Sequence, residues 1–316
     1  MILVTGATGT IGRPLVHLLS SAGEQVRALA RHIGAQPDGA APGVEVVRGD
    51  LSRPETIAAA LHGVTSLFVH PRAVGLAAPT LLGLAAEHGV QHVAVLAALN
   101  VDDDPVRQPS RFNGDRNKEV EEAVAGSGLG WVSVRSGSFA ASTLTMFAAQ
   151  ARNGDVIRGP YAGFADAPIH EMDVASVLAA ALLDNSLVGQ KISVTGPQSL
   201  THAEMVATIG EAIGRPLRYQ EISPAEAADG MVAHGLPRPF AEAMMARYAR
   251  ELDRAAPITD AVDKILGRPA RTYAHWAVDH AAAFQKPPPT PNQQLPAALR
   301  APYTPPTVDT APPEMP

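Results

Sequence analysis

The 316-residue chain contains no cysteine. That absence excludes disulfides, thiolate metal sites and a cysteine nucleophile together, and it suits a cytoplasmic protein. Positive charge is also short: 25 Lys and Arg stand against 31 Asp and Glu, a formal net charge of −6 with no basic block. Nucleic acid and anionic membrane surfaces are therefore not expected as partners. A long apolar run is missing as well. The most apolar region, Val74 to Leu99, is broken by Pro79, Glu87, His88 and His92. It reads as a buried helix followed by a buried strand, not a membrane span. The chain opens on Met1-Ile2-Leu3-Val4-Thr5, a strand, where a signal peptide would need a basic region and a longer apolar stretch. No His and carboxylate cluster has metal-ligand spacing, so no metal is expected. No Gly-x-Ser-x-Gly falls in a strand-to-helix setting, which argues against a hydrolase.

What is present is an alternation. Short, Val/Leu-rich strands are expected at Ile2–Thr5, Gln25–Ala30, Val44–Arg48, Ser66–His70, Gln91–Ala97 and Trp131–Arg135. Helical stretches at Ile11–Ala22, Pro54–Leu61, Ala78–His88 and Asp115–Gly126 separate them. This rhythm predicts an α/β fold, a Rossmann-type doubly wound parallel sheet covered by helices on both faces. From about Ser142 helices dominate, with short strands only at Lys191–Thr195 and Leu217–Ile222. The expected division is a dinucleotide-binding core over 1–141, with some later strands contributing, and a smaller, mostly helical substrate lobe over 142–286. Residues 287–316 carry 11 prolines in 30 residues, which predicts an extended tail. A homodimer with tail contacts is compatible with that segment.

The strongest motif is Gly6-Ala7-Thr8-Gly9-Thr10-Ile11-Gly12, placed between the first strand and an amphipathic helix. In that context Gly6 permits the tight turn, Gly9 lets backbone approach a pyrophosphate, and Gly12 permits close helix–strand packing. The amides from Ala7 to Ile11 then face phosphate at the positive end of the helix. At the end of the second strand, where an NAD site places an acid for the ribose hydroxyls, the chain has Arg31 and His32, and Arg13 follows the last glycine. Guanidiniums there suit a 2′-phosphate, so the expected cofactor is NADPH/NADP+ rather than NADH. Asp50 and Leu51 after the third strand are placed for the adenine edge, and His70 and Ala97 end strands on the nicotinamide side.

These features resemble a known group. The Thr-Gly-Ala-Thr-Gly-x-x-Gly start, Arg31, Gly49-Asp50-Leu51, Val134-Arg135-Ser136-Gly137-Ser138-Phe139 and Ala167-Pro168-Ile169-His170-Glu171 are similar to the atypical short-chain dehydrogenases. Within them the NmrA-like, NAD(P)H-binding branch, with its quinone reductases and azoreductase-like proteins, is the best match. The resemblance covers residues 1–284. It implies a Ser-Tyr-Lys set, of which only Lys118 survives: Gly114 stands at the Tyr position, and Ala stands in Val95-Leu96-Ala97-Ala98-Leu99 where Ser is expected. An acceptor that delocalises charge tolerates that loss, because a quinone or phenolic ketone needs no strong acid beside it. The expected activity is therefore NADPH-dependent reduction of a quinone or aromatic ketone. A catalytically inactive NADP(H) sensor is the alternative, and an isomerase or cyclase on the same fold ranks third. The resemblance gives Lys118 the lysine's place, holding the cofactor ribose, while Tyr161, His170 and His70 are the candidates to substitute as acids or substrate contacts. Candidate contacts to a small aromatic substrate are Ser136, Ser138, Phe139, Phe147, Tyr161 and His170, with Met231, Met244 and Met245 lending an adaptable apolar wall.

Overall fold

The computed structural model describes residues 1–31, 43–51 and 53–286. His32 and the proline-rich stretch 287–316 fall outside the described residues. The strands are β1 Ile2–Val4, β2 Val26–Ala30, β3 Val44–Arg48, β4 Ser66–Val69, β5 His92–Ala98, β6 Gly130–Ser136, β7 Val156–Gly159, β8 Ala165–Asp166, β9 Lys191–Val194, β10 Leu200–Thr201 and β11 Arg218–Glu221. The helices are α1 Gly12–Ser21, α2 Pro71–Val74, α3 Ala78–Glu87, α4 Pro109–Phe112, α5 Asn117–Ala125, α6 Ala149–Asn153 and α7 Glu171–Leu183. They continue with α8 His202–Ala212, α9 Pro224–Ala233, α10 Arg238–Glu251, α11 Ala261–Leu266, α12 Tyr273–Asp279 and α13 Ala281–Phe284. No helix among the described residues is long and apolar enough to cross a membrane.

β1 to β6 and β9 form one parallel sheet in the order β3-β2-β1-β4-β5-β6-β9. The order reverses at β1, and the glycine motif sits there, at the switch point where open α/β sheets bind ligands. Strand alternation divides the apolar residues between two layers. Ile2, Val4, Val26, Ala28, Phe68 and Leu96 pack under α1 and α7. Leu3, Leu29, Leu67, Val69, Val93 and Val95 pack under α3 and α5. Because both faces are covered, β1 and β2 are buried along their whole length.

The smaller elements beyond β6 enclose two further apolar clusters. One gathers Phe147, Met205, Ile209, Tyr273, Trp276 and Phe284. The other gathers Phe164, Ala227, Ala228, Ala241, Met245 and Tyr248. β7 pairs in parallel with β11, and β8 pairs antiparallel with β10. Several boundaries differ from the sequence reading. The segment Pro54–Leu61 is a 3-10 helix, and Thr56 Oγ1 donates to the carbonyl of Arg53 (2.8 Å), a local bond that competes with α-helical pairing. Near the end of the described residues the helical chain breaks at His280, separating α12 from α13.

Candidate active site

At the end of β1 the backbone makes a cradle. Gly6 adopts φ +62°, a conformation that L side chains rarely take, and its carbonyl accepts from Gly9 N–H at 2.9 Å. A Cβ on Gly12 would lie only 2.1 Å from Gly6 O, so α1 can begin against this turn only with glycine there. Ile11 is buried beneath it, while Gly9 and Thr10 are exposed and Thr8 is half-buried. Arg13 and Arg31 are both exposed, and among the described residues neither meets a carboxylate. After β3, a Cβ on Gly49 would strike Ile57 and Leu29, so the chain turns tightly into Asp50, whose amide donates to Thr56 Oγ1 (3.2 Å), and buried Leu51.

His70 closes the cradle from the end of β4. Its amide donates to Thr5 Oγ1 (2.8 Å), and its Cβ lies 3.3 Å from where a Cβ on Gly6 would be. Its Nδ1 is buried and, among the described residues, has no hydrogen-bond partner. Burial, reinforced by the neighbouring Arg72 guanidinium, pushes the imidazole below its ordinary pKa, so it is neutral at pH 7. A polar atom left without a partner among the described residues, beside a glycine cradle, fits a dinucleotide site, where a bound group could satisfy it. Arg72 is held by Asp115 through two bonds of 2.6 and 3.0 Å. Asp115 follows Gly114, which adopts φ +91° with open space around its missing Cβ.

The other expected residues are scattered. Ala97 is buried in β5 opposite Arg135. Lys118 is 35% exposed, and its Nζ pairs with Glu122 one turn on (3.1 Å). Ser136 ends β6 and donates to Gly137 O (2.8 Å), and Phe139 bridges to Ile169. Two candidates are enclosed. Phe147 lies edge-on to His202 and Tyr219 inside the cluster that holds Trp276, so it is core and not a cleft wall. His170 is 2% exposed, with Nδ1 accepting from Met172 N–H and Nε2 donating to Asp279 (3.3 Å). With both ring nitrogens engaged by other residues, it caps α7. Met245 is likewise core, and Met231 and Met244 pack against it.

Tyr161 is different. It adopts φ +49°, a strained conformation for a tyrosine, on a loop held by several bonds. His202 Nδ1–H donates to Pro160 O and Tyr161 O (3.1 and 3.2 Å), Tyr219 donates to Pro160 O (2.8 Å), and Ala162 N–H donates to Glu221. Its ring meets Tyr248 edge-on, and among the described residues its hydroxyl has no hydrogen-bond partner.

Of a polar cluster just past β6 the sequence reading named Ser138 but missed Asp166 and Arg247. Ser138 Oγ donates to Asp166 Oδ2 (2.5 Å), and Arg247 of α10 reaches the same oxygen (3.2 Å). Arg247 also donates to Glu251 (3.0 Å), and its guanidinium lies over the Phe164 ring, 5.3 Å from the centroid. The one sequence signal was the Arg247/Glu251 spacing of four residues, which reads as an exposed helical ion pair.

Comparison with known proteins agrees with this architecture. The model of the NmrA-like family matches residues 1–268. The chain is 37% identical over 289 residues to the NAD(P)H azoreductase of Xenophilus azovorans, covering 90% of this chain and 99% of that protein. It is 35% identical over 294 residues to the (4-alkanoyl-5-oxo-2,5-dihydrofuran-3-yl)methyl phosphate reductase of Streptomyces griseus, with the same coverage. Among solved structures, the NADPH-dependent quinone oxidoreductase QOR2 of Escherichia coli complexed with NADPH superposes with a TM-score of 0.74. It is 23% identical, and 88% of this chain and 99% of that one are covered. On a family model spanning most of its length, and a doubly wound sheet to match, the chain is a member of the NmrA-like family.

Proposed function

We propose that the protein is an NADPH-dependent oxidoreductase that reduces a quinone or an aromatic ketone by hydride transfer, without the Ser-Tyr-Lys set of short-chain dehydrogenases. The observation that carries this is the cradle itself: Gly12, where a Cβ would collide with Gly6 O, next to the His70 Nδ1 that has no hydrogen-bond partner among the described residues. The relatives named NAD(P)H azoreductase and (4-alkanoyl-5-oxo-2,5-dihydrofuran-3-yl)methyl phosphate reductase are reductases by name, which supports a reductase here.

In this reading Gly6, Thr8, Gly9, Thr10, Ile11 and Gly12 present backbone to the pyrophosphate at the positive end of α1. Arg13 and Arg31, which meet no carboxylate among the described residues, take the 2′-phosphate. Asp50 and Leu51 line the adenine side, and His70 and Ala97 the nicotinamide side. Bound NADPH supplies the hydride. The protein's part is to place the acceptor against it, exclude water and stabilise the charge that develops on the acceptor. With Gly114 and Ala97 offering no acid, the acceptor has to spread that charge through its own conjugated system and be protonated by solvent or its own hydroxyl. Ser136, Ser138, Phe139 and Tyr161 stand on the acceptor's side.

The test is NADPH consumption by purified protein across menadione and other quinones, phenolic polycyclic ketones and simple aliphatic ketones. Turnover with conjugated acceptors and none with aliphatic ketones is the expected result. Tight NADPH binding with no turnover on any acceptor would replace the reductase by a cofactor-sensing protein.

A further inference from the structure

We propose that Arg247 holds the acceptor's oxygen as it takes on negative charge, doing the work for which this chain lacks a tyrosine. The assignment rests on the reading of the chain as an NADPH-dependent reductase. It begins from the donor count. A guanidinium has five N–H donors in a fixed fork. In Arg247 one goes to Glu251 (3.0 Å) and one to Asp166 (3.2 Å), while the contact from Nη1 to Ser138 Oγ, at 3.5 Å, is at the limit of a hydrogen bond. The side chain is 24% exposed, so the remaining donors are not sealed inside the protein.

The fork is fixed from two sides. Asp166 is itself held by Ser138 Oγ, by the Ala167 amide (2.9 Å) and by Arg247, and Phe164 lies under the guanidinium plane. Its position follows from the sheet. Ser138 lies two residues beyond β6, and β6 is three strands from β1. At the usual ~4.8 Å between strands, Arg247 is anchored about 14 Å along the C-terminal edge from the glycine cradle. That places it on the reacting side of the expected cofactor, clear of the pyrophosphate end.

Charge explains which acceptor suits this place. Asp166 and Glu251 offset Arg247, and Arg250 pairs with Glu251 (2.9 Å), so the cluster sums to neutral. In a neutral surround the attraction for an acceptor's oxygen comes from the spare N–H groups and not from net charge. They favour an acceptor that arrives neutral and becomes anionic during the reaction, because they gain most from charge that was absent at binding. A quinone does this. It accepts a hydride with its electron pair as the carbon–hydrogen bond of the reduced nicotinamide breaks. The hydroquinone monoanion then takes a proton from solvent.

The experiment compares the unaltered chain with Arg247→Met and Arg247→Lys. Three readouts are used: NADPH titration by fluorescence, menadione turnover, and binding of 2-hydroxy-1,4-naphthoquinone, an anion at neutral pH that imitates the reduced acceptor. For Arg247→Met, kcat should fall roughly 100-fold, with KM and NADPH affinity within about threefold. Binding of the hydroxynaphthoquinone anion should weaken at least roughly tenfold, and Arg247→Lys should recover part of each loss. Turnover within about threefold of the unaltered chain in Arg247→Met overturns the assignment alone. So does a parallel loss of kcat, NADPH affinity and thermal midpoint that Lys does not relieve, since that is the signature of a brace. Where Arg247→Met does not fold, Arg247→Lys decides by the same split between kcat and NADPH affinity. Absence of NADPH binding by the unaltered chain overturns the reductase reading and the Arg247 assignment with it.

Discussion

Around the end of β1 the site is made of backbone: a left-handed glycine, a carbonyl that accepts from Gly9, and a helix that starts only because Gly12 has no side chain. Around the end of β6 it is made of side chains: Ser138, Asp166 and Arg247, with as many as 109 positions of sequence between partners. The first region depends on spacing within seven residues. The second depends on the fold being complete. A backbone site therefore fails when one atom is added, whereas a side-chain site fails when a partner is removed.

The sharpest break of this contrast is Gly12→Ala. The added Cβ collides with Gly6 O, and overpacking of this kind costs about 1–3 kcal/mol of stability. NADPH affinity should fall at least roughly 100-fold, read by fluorescence titration beside a thermal melt. Normal affinity in that variant would mean the cradle does not seat the cofactor. Next in size is Arg31→Ala, which should weaken NADPH binding roughly 10- to 100-fold and NADH binding less than about twofold. Equal losses for the two cofactors would remove Arg31 from the 2′-phosphate.

Histidines sharpen the comparison through pH. Burial lowers His70, beside the cradle, and His202, under the Tyr161 loop, below the ordinary value of 6.5. In the unfolded chain each takes up a proton near pH 6.5, while the folded chain still refuses it. The folded state then binds fewer protons, and stability is lost as pH falls from 6.5 toward the lowered folded values. A thermal midpoint followed from pH 8 to pH 5 should decline in that window, and His70→Gln should flatten part of the decline. NADPH should flatten it only if it contacts His70, which separates the two histidines experimentally. The smallest effect is expected for Lys118→Ala. A partly exposed pair with Glu122 contributes about 0.3–0.5 kcal/mol, and turnover should stay within about twofold. A tenfold loss would restore Lys118 to the role that family resemblance gave it.

The same contrast explains what could be read from the sequence. Gly6, Gly9 and Gly12, and the alternation of Ile2, Leu3 and Val4 between two layers, are local patterns, so motif and sheet were both legible. Arg31 was legible for the same reason, since its place at the end of β2 follows from strand length. At the end of β6 only Ser136, Ser138 and Phe139 were legible. Arg247 was not, because nothing near it in sequence ties it to Ser138. His170 looked like a poised acid because burial by α12, through Asp279, comes from 109 residues downstream. Phe147 looked like a cleft wall because aromatic residues at helical spacing read the same way in a core and in a pocket.

One feature of the sheet bears on how the molecule is assembled. β9 completes the edge beside β6, yet it begins at Lys191, after the loop carrying Tyr161 and the whole of α7. During vectorial synthesis the cradle and six parallel strands emerge first, with Ser133 to Ser136 presenting unpaired hydrogen-bonding groups. That edge stays open to pairing with other chains until Lys191 to Val194 emerge to cover it. A truncation placed before Lys191 thus keeps the nucleotide half of the sequence but leaves a bare parallel edge, and aggregation, rather than loss of the glycine turn, becomes its first failure.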